Sequence, residues 1–411
     1  MSHPLIRSVS GANPSLPRTV LALGFVSLFM DISSEMIHAL LPLFLTTMLG
    51  ASVALVGLID GIAEATAAIS KVFSGYLSDR LGRRKPLILF GYGLAAVSKP
   101  LFAIATAPGF VLFARFADRI GKGIRGAPRD ALVADLTPEA IRGRAYGLRH
   151  ALDTAGAFIG PLLAIALMAF FADNMRAVFW TALIPAALAV ACVLFGVEDK
   201  AAVTAEGVEQ LPIRPSDLRR FDNAFWALIG IGVVFTLARF SEAFLILRAN
   251  QEGLPLPLAP LVLIVMNIIY ALGAYPAGIL ADRMQPTKLL LVGLLPLILA
   301  DAALAFWQEL TGCFAGIALW GAHLALTQGL FSKLVSDRAP PDLRGSAFGL
   351  YNLTTGLAML AASTIAGLLW DLGGPSATFA AGAGFAAAAA LLVGLSGTRR
   401  HAPNRGSRTS M

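Results

Sequence analysis

The chain has 411 residues, of which 57% are hydrophobic and 14% are charged. A soluble domain carries about 25% charged residues, so this composition excludes one water-soluble domain and predicts a lipid bilayer as the solvent. The net charge is +7, but the Lys and Arg residues cluster in alternate loops, which argues against a nucleic-acid partner. The two cysteines, Cys192 and Cys313, lie in apolar runs and offer neither a disulfide framework nor metal-ligand spacing.

Apolar stretches of about 20 residues recur along the chain, and each is long enough to cross about 30 Å of hydrocarbon. They predict an all-α integral membrane protein with twelve transmembrane helices. We place these helices near 19–48, 53–78, 86–106, 108–129, 145–170, 177–196, 223–248, 258–281, 288–307, 312–335, 345–370 and 376–396. The first stretch is too long for a cleaved signal peptide and is expected to remain as a helix.

The loops on one side carry most of the Lys and Arg residues, and the opposite loops are nearly bare of them. The positive-inside rule then predicts a multi-pass protein of the cell (inner) membrane with both termini in the cytoplasm. The longest polar interruption divides the segments six and six. We expect an N-terminal bundle over 1–196, a cytoplasmic linker over 197–222, a C-terminal bundle over 223–396 and a cytoplasmic tail over 397–411.

The two halves of the chain repeat each other. The stretch "SGYLSDRLGRRKPLILFG" at 74–91 is echoed by "AGILADRMQPTKLLLVG" at 277–293. A second pair is "LVADLTPEAIRGRAYGL" at 132–148 and "LVSDRAPPDLRGSAFGL" at 334–350. Two six-helix halves in parallel repeat are typical of a rocker-switch transporter, whose site lies between the halves near mid-membrane.

The repeated loops resemble the signature loop of the major facilitator superfamily, and the resemblance covers nearly the whole chain. The first copy holds Gly75, Asp79, Arg80, Gly82 and Arg83, and the shorter second copy holds Gly278, Asp282 and Arg283. The resemblance implies two pseudo-symmetric six-helix bundles that act by alternating access, as a monomer. Glycine permits close helix contact and aspartate pairs with arginine or a helix N-terminus, so we expect these residues to gate transport and anchor the topology.

Two further stretches resemble motifs of the same superfamily. The fifth segment carries Gly147, Gly156, Gly160 and Pro161, in a spacing associated there with antiporters. Ala164 and Ile165 replace the final two glycines of that pattern, and plain helix packing is the alternative interpretation. Arg115, in the fourth segment, takes the position of an arginine of the superfamily's second motif. The resemblance implies that this arginine assists proton transfer.

The first segment carries Asp31, Glu35 and His38, which share one helical face because they are four and three residues apart. Ionisable residues at membrane depth usually face a water-filled cavity or the bundle interior. In the resembling proteins helix 1 lines the central cavity, and acids on it exchange a proton for a drug. Glu242, in the seventh segment, corresponds to Glu35 in the repeat after a shift of about four residues, one helical turn. Alternatively, Arg239 three residues earlier could simply pair with it.

The second segment adds Asp60, Glu64 and Lys71, which can share one face. The fourth segment opposes them with a row of cations: Arg115, Arg119, Lys122, Arg125 and Arg129. A structural ion-pair network between these helices is therefore the alternative to a functional role for the acids of the second segment.

These observations predict a secondary transporter that exports a small molecule in exchange for protons, with Asp31 and Glu35 as proton or substrate sites. One alternative is an organic anion or metabolite transporter that uses Arg119, Lys122 and Arg125, because guanidinium groups bind carboxylates and phosphates. A second is a divalent metal exporter that uses Asp31, Glu35 and His38. No nucleotide-binding loop or nucleophile motif is present, so we predict neither an enzyme nor a cofactor.

Overall fold

The computed structural model describes residues 16–81, 83–198, 218–340 and 343–398. Most of the predicted linker and tail, and Gly82 of the signature loop, lie outside the described residues. The described chain is helical and contains no strand. Nine of its helices are long and apolar enough to cross a membrane.

The described residues build twelve membrane-spanning units, which agrees with the predicted all-α fold. We number the six units of the first half α1 (Arg18–His38, continued by Leu41–Leu43 and Phe44–Met48), α2 (Val53–Leu81), α3 (Lys85–Ile104), α4 (Pro108–Leu136), α5 (Arg142–Phe170) and α6 (Met175–Thr181 with Leu183–Gly196). Those of the second half are α7 (Asn223–Leu237 with Ala243–Gln251), α8 (Leu261–Arg283), α9 (Pro286–Phe306), α10 (Leu310–Thr327 with Leu330–Arg338), α11 (344–373) and α12 (375–398). The last two units are separated by Gly374, whose φ of 75° lies in the left-handed region.

Several of the predicted spans are not continuous helices, among them 223–248 and 312–335. The α7 helix stops at Leu237 and resumes at Ala243, and α10 stops at Thr327 and resumes at Leu330. The break in α10 is fixed by Gly329, which adopts a left-handed φ of 79° that glycine accepts without a steric penalty. The residues at these breaks are more polar than a helix interior, since Arg239, Ser241 and Glu242 lie in the first and Gln328 and Gly329 in the second.

The two bundles meet mainly where α2 lies along α11. Small residues allow the two backbones to approach closely. A Cβ added to Gly61 would come 2.9 Å from the Leu360 Cα, and one added to Gly367 would come 2.6 Å from the Ala54 Cα. A lighter contact joins α5 and α8.

We call the end that carries the α2–α3 and α4–α5 connections the basic end. At the other end, the Asp371 carboxylate of α11 accepts hydrogen bonds from the first backbone N–H groups of α2, those of Val53 at 3.1 Å and Ala54 at 3.0 Å. These N–H groups have no partner within their own helix, and the helix dipole favours a negative charge there. Asp371 therefore ties the two bundles together at the end opposite the basic one.

Candidate functional site

A cavity of about 280 Å³ lies between the bundles, in the half of the molecule nearer the basic end. Its walls come from α2, α7, α10 and α11, and the breaks in α7 and α10 border it. The lining residues are Glu64, Ala68, Phe235, Thr236, Arg239, Thr327, Gln328, Gly329, Phe331, Tyr351, Thr355, Gly356 and Met359. Discontinuous helices at a site between two repeats are a recurring feature of transporter binding sites. Only Glu64 among the predicted site residues lines this cavity.

Among the described residues, none of α1 lines this cavity. Asp31, Glu35 and His38 form a half-exposed face of α1, whereas Ile32 and Met36 behind them are buried. His38 Nδ1 lies 3.5 Å from Glu35 Oε2. Asp31 has no hydrogen-bond or ion-pair partner among the described residues. This face is therefore polar, and no arginine or lysine pairs with it directly.

The glycines of α5 determine how closely that helix approaches the acidic face. A Cβ on Gly156 would lie 2.9 Å from the Asp31 Cβ, and one on Gly160 would lie 2.7 Å from the Glu35 Cβ. Nothing lies within 4 Å of a Cβ on Gly147, so that glycine has no such packing role. Pro161 is buried inside α5. Gly156 and Gly160 thus let α5 pack closely against α1 at Asp31 and Glu35.

Two cations of α4 form ion pairs with the acids of α2. An ion-pair network of this kind was the alternative to a functional role for those acids. Arg115 Nη2 lies 2.9 Å from Asp60 Oδ1, and Arg119 Nη1 lies 3.1 Å from Glu64 Oε1. The pairs match because both the cations and the acids are four residues apart, one helical turn on each helix. Lys71 is exposed and takes no part in the network among the described residues.

A third buried pair joins α3 to α4. Lys99 Nζ donates to Asp118 Oδ1 at 2.8 Å and to Ser34 Oγ of α1 at 3.0 Å. Both charged side chains are buried. This pair anchors α4 to α3 beside α1.

Among the described residues, the lower part of the α4 row makes no ion pair with the acids of α1 or α2, although Arg129 Nε pairs with Asp130 Oδ1 of its own helix at 3.2 Å. Arg125 lies with its guanidinium 4.5 Å from the centre of the Tyr92 ring, and Arg129 donates to Ser27 Oγ at 2.8 Å. Lys122 is exposed and has no ion-pair partner among the described residues. It is thus a cation whose charge acts on the acids of α1 without being neutralised by them.

The break in α7 brings the second bundle to this network. Ser241 Oγ donates to Asp60 Oδ2 at 2.7 Å, so Asp60 bonds to its own bundle through Arg115 and to the other bundle through Ser241. Glu242 is half-exposed and has no ion pair among the described residues, and neither has Arg239. The simple Arg239–Glu242 pairing is therefore wrong, because the break separates the two side chains that one helical turn would have brought together.

The signature loops are only partly described. The Asp79 side chain and Gly82 lie outside the described residues, and Arg80 and Arg83 are exposed. Next to them, Arg84 Nε contacts Asp135 Oδ2 of α4 at 2.6 Å, an ion pair that the motif did not predict.

The prediction of close helix contact at the signature glycines is not met. A Cβ on Gly75 would have its nearest neighbour at an ordinary 3.5 Å, and one on Gly278 would have none within 4 Å. In the second copy, Asp282 and Arg283 are both exposed. These glycines therefore lie in open positions at the helix ends.

The buried polar side chains of the second bundle include Asp301 and His323, neither of which is among the predicted site residues. Asp301 of α9 is fully buried, and neither of its carboxylate oxygens has a hydrogen-bond partner. His323 of α10 is also fully buried, and its Nδ1 lies 2.7 Å from the Gly293 carbonyl oxygen. A single acid within the otherwise apolar segment 288–307 was the available signal for Asp301.

Comparison with known proteins identifies the family. The Major Facilitator Superfamily profile matches residues 23–363. An uncharacterized MFS-type transporter of Methanocaldococcus jannaschii is 32% identical, with 92% of this chain and 94% of that protein covered. The multidrug resistance protein MdtH of Photorhabdus laumondii is 25% identical over 85% of this chain and 86% of its own length. The crystal structure of the nucleoside transporter NupG has the same fold, with a TM-score of 0.73, 12% identity and coverage of 93% and 99%. The chain belongs to the Major Facilitator Superfamily and is a multi-pass membrane transporter, not an enzyme.

Proposed function

We propose that this transporter exports a small organic molecule in exchange for protons, and that Glu35 with His38 carries the exchanged proton. The supporting observation is the difference between two sets of acids. Asp60, Glu64 and Asp118 are each paired with a lysine or arginine. Among the residues that the structure describes, Glu35 has only His38 of its own helix within ion-pair distance, so its protonation breaks no interhelical salt bridge there.

The surroundings of Glu35 suit a proton site that responds to conformation. The cations that act on Glu35 are His38, Lys122 and Arg119, and Glu242 of the other bundle interacts electrostatically with Glu35 and His38. Movement of one bundle against the other changes the distance to Glu242 and therefore the relative stability of the protonated and ionised forms. Such a dependence of proton affinity on conformation is what alternating access requires for exchange.

The closed end and the position of the cavity are compatible with export. Asp371 and the tight α2–α11 contact close the end opposite the basic one, and the cavity lies toward the basic end. We place the basic end and both termini in the cytoplasm, on the charge pattern of the loops. In this state the cavity would take up substrate from the cytoplasm, which is the first step of export. We propose that the protein works as a monomer in the inner membrane. The relative MdtH is a multidrug resistance protein, which is consistent with export.

Metal export receives less support than it did from the sequence. Among the described residues, no group of three or more His, Cys, Asp or Glu side chains could hold a metal ion. His38 lies by Glu35, but Asp31 does not complete a ligand set with them.

The test of proton exchange uses the purified full-length protein in a weakly buffered nanodisc suspension near neutral pH. Candidate substrates, including ethidium and 1-naphthoate, are added while binding and pH are recorded. We expect proton release on binding by the wild type and none by Glu35→Gln. The matched control is Glu139→Gln, which removes an 87% exposed carboxylate at the basic end. Binding without proton release by the wild type, or release that persists in Glu35→Gln, would refute the proposal.

A further inference from the structure

Arg239 is a half-buried cation in the cavity wall that the ion-pair network does not include. No carboxylate of the described chain lies within ion-pair distance of its guanidinium group, and Glu242, the acid nearest to it along the chain, forms no salt bridge with it. The Phe235 ring lies next to this group, and its centre is 6.0 Å from the guanidinium carbon. A charge left without a counter-ion at membrane depth costs free energy unless a ligand or water compensates it.

The rest of the cavity wall does not neutralise this charge. The acid lining the cavity is Glu64, and its carboxylate is already paired with Arg119 at 3.1 Å. The hydroxyls of Thr236 and Thr355 donate to carbonyl oxygens of their own helices, at 2.8 Å and 2.7 Å. Glu242 interacts electrostatically with Arg239 but lies beyond ion-pair distance, so among the described residues Arg239 has no direct counter-ion in the cavity wall.

An aromatic surface lies next to the guanidinium group. Phe235 and Phe331 have ring centres 4.8 Å apart, and Phe331 stacks on Tyr351 with an interplanar angle of 19° and a centre separation of 5.8 Å. Gln328 is exposed at the break in α10, and its amide is another donor. Small-molecule sites combine such an apolar wall with a few polar groups that fix orientation, over about 300–1,000 Å³. The volume of about 280 Å³ suits a compound of one or two rings.

We propose that Arg239 binds an anionic group of the transported molecule and that Phe331 and Tyr351 hold its aromatic ring, so that the substrate class is a small aromatic carboxylate or similar organic anion. This proposal rests on the transport of a small organic molecule, but it does not depend on proton exchange. Arginine suits this role because its planar group donates two parallel hydrogen bonds to a carboxylate.

The binding test compares three probes of the same ring and different charge: 1-naphthoate, 1-naphthylmethylamine and 1-naphthalenemethanol. Binding to the full-length protein in nanodiscs is measured by calorimetry at fixed pH. We expect saturable binding of naphthoate, and weaker binding of the neutral and cationic probes. Arg239→Gln should weaken naphthoate binding about 10- to 100-fold, since a hydrogen bond to a charged group is lost. Arg239→Lys should recover part of the affinity.

Two further variants separate charge from ring and from folding. Arg144→Gln removes an exposed arginine at the basic end, and we expect it to bind all three probes like the wild type. Phe331→Leu should weaken all three probes to a similar extent, because stacking does not depend on their charge. The unfolding midpoint without ligand, measured for each variant, shows whether the fold is intact.

The inference is overturned if naphthoate does not bind saturably, if Arg239→Gln binds it within twofold of the wild type, or if the amine binds as tightly as the acid. Glu35→Gln is measured alongside to keep the two proposals apart. Naphthoate binding that is lost in Arg239→Gln but moves no proton in the wild type would support the anion site and refute proton exchange.

Discussion

The hydrogen bonds of Asp371 predict that this residue controls access from the end opposite the basic one. Its carboxylate bonds to two N–H groups at the start of α2 across the bundle boundary. Loss of a side chain that caps a helix N-terminus costs about 0.5–2 kcal/mol. Because both bonds are solvent-exposed, we expect Asp371→Ala to remove about 1–2 kcal/mol from the closed state. The ratio of closed to open molecules should then fall by a factor of about 5–30.

The shift can be measured by the distance between spin labels on the two bundles. Met48→Cys and Leu372→Cys place labels at exposed positions of this end, 57% and 85% accessible, after Cys192 and Cys313 are replaced by alanine. The distance distribution should gain a longer component in Asp371→Ala. Glu309→Ala is the control, since it removes an exposed acid that contacts only its own turn. An unchanged distribution in Asp371→Ala would show that the cap does not hold this end closed.

Three stability predictions follow from packing and buried charge. Gly160→Leu should destabilise by about 1–3 kcal/mol because its side chain meets the α1 backbone, whereas Gly147→Leu has open space and should be near neutral; equal effects would contradict the packing argument. Lys99→Met leaves the buried Asp118 unpaired and should lower the free energy of unfolding by about 3–5 kcal/mol. Adding Asp118→Leu should restore stability, and a double variant without that recovery would contradict the pairing. Asp301→Asn loses no recorded hydrogen bond, so its unfolding midpoint should not fall; a clear drop would reveal a partner for the carboxylate.

The fold could be predicted from the sequence because the bilayer imposes a length on each apolar segment, and the repeated loops set the symmetry. The breaks at 238–242 and 328–329 were not predicted, because polar residues and a glycine inside a long apolar segment are also compatible with a continuous helix. They are also the features that build the cavity. Arg239 consequently looked like the helical partner of Glu242, and its place in the cavity wall became visible only in the structure.

The sequence could only partly distinguish acids that form interhelical ion pairs from acids that do not. Asp31 with Glu35 and Asp60 with Glu64 have the same four-residue spacing, so sequence treats the two pairs alike. The register of α4 separates them, because Arg115 and Arg119 meet the pair on α2. The repeated spacing of four on both α2 and α4 could have predicted that match. The absence of a comparable match for α1 depends on the helix arrangement, which spacing does not give.

The two proposals together make a prediction about the sign of proton movement. A bound anion attracts protons to nearby carboxylates, so direct electrostatic coupling between a ligand at Arg239 and the acids of α1 favours proton uptake. Exchange requires the opposite sign, and it must then come from a conformational change that binding drives. The contacts available for it are Ser241 with Asp60, which join the bundles, and Gly160 with Glu35, which fix α1 against α5.

The measurement is the proton count on naphthoate binding in the wild type and in Ser241→Ala, which lacks the hydroxyl that bonds to Asp60. We expect release in the wild type and reduced release in Ser241→Ala, because weakening the link between the bundles weakens the conformational contribution while Arg239 still binds the anion. Thr364→Ala is the control, since its hydroxyl bonds only within α11. Proton uptake in the wild type would mean that the electrostatic term dominates. The protein would then move an anion together with protons, and the proposed exchange would be wrong while the anion site remained.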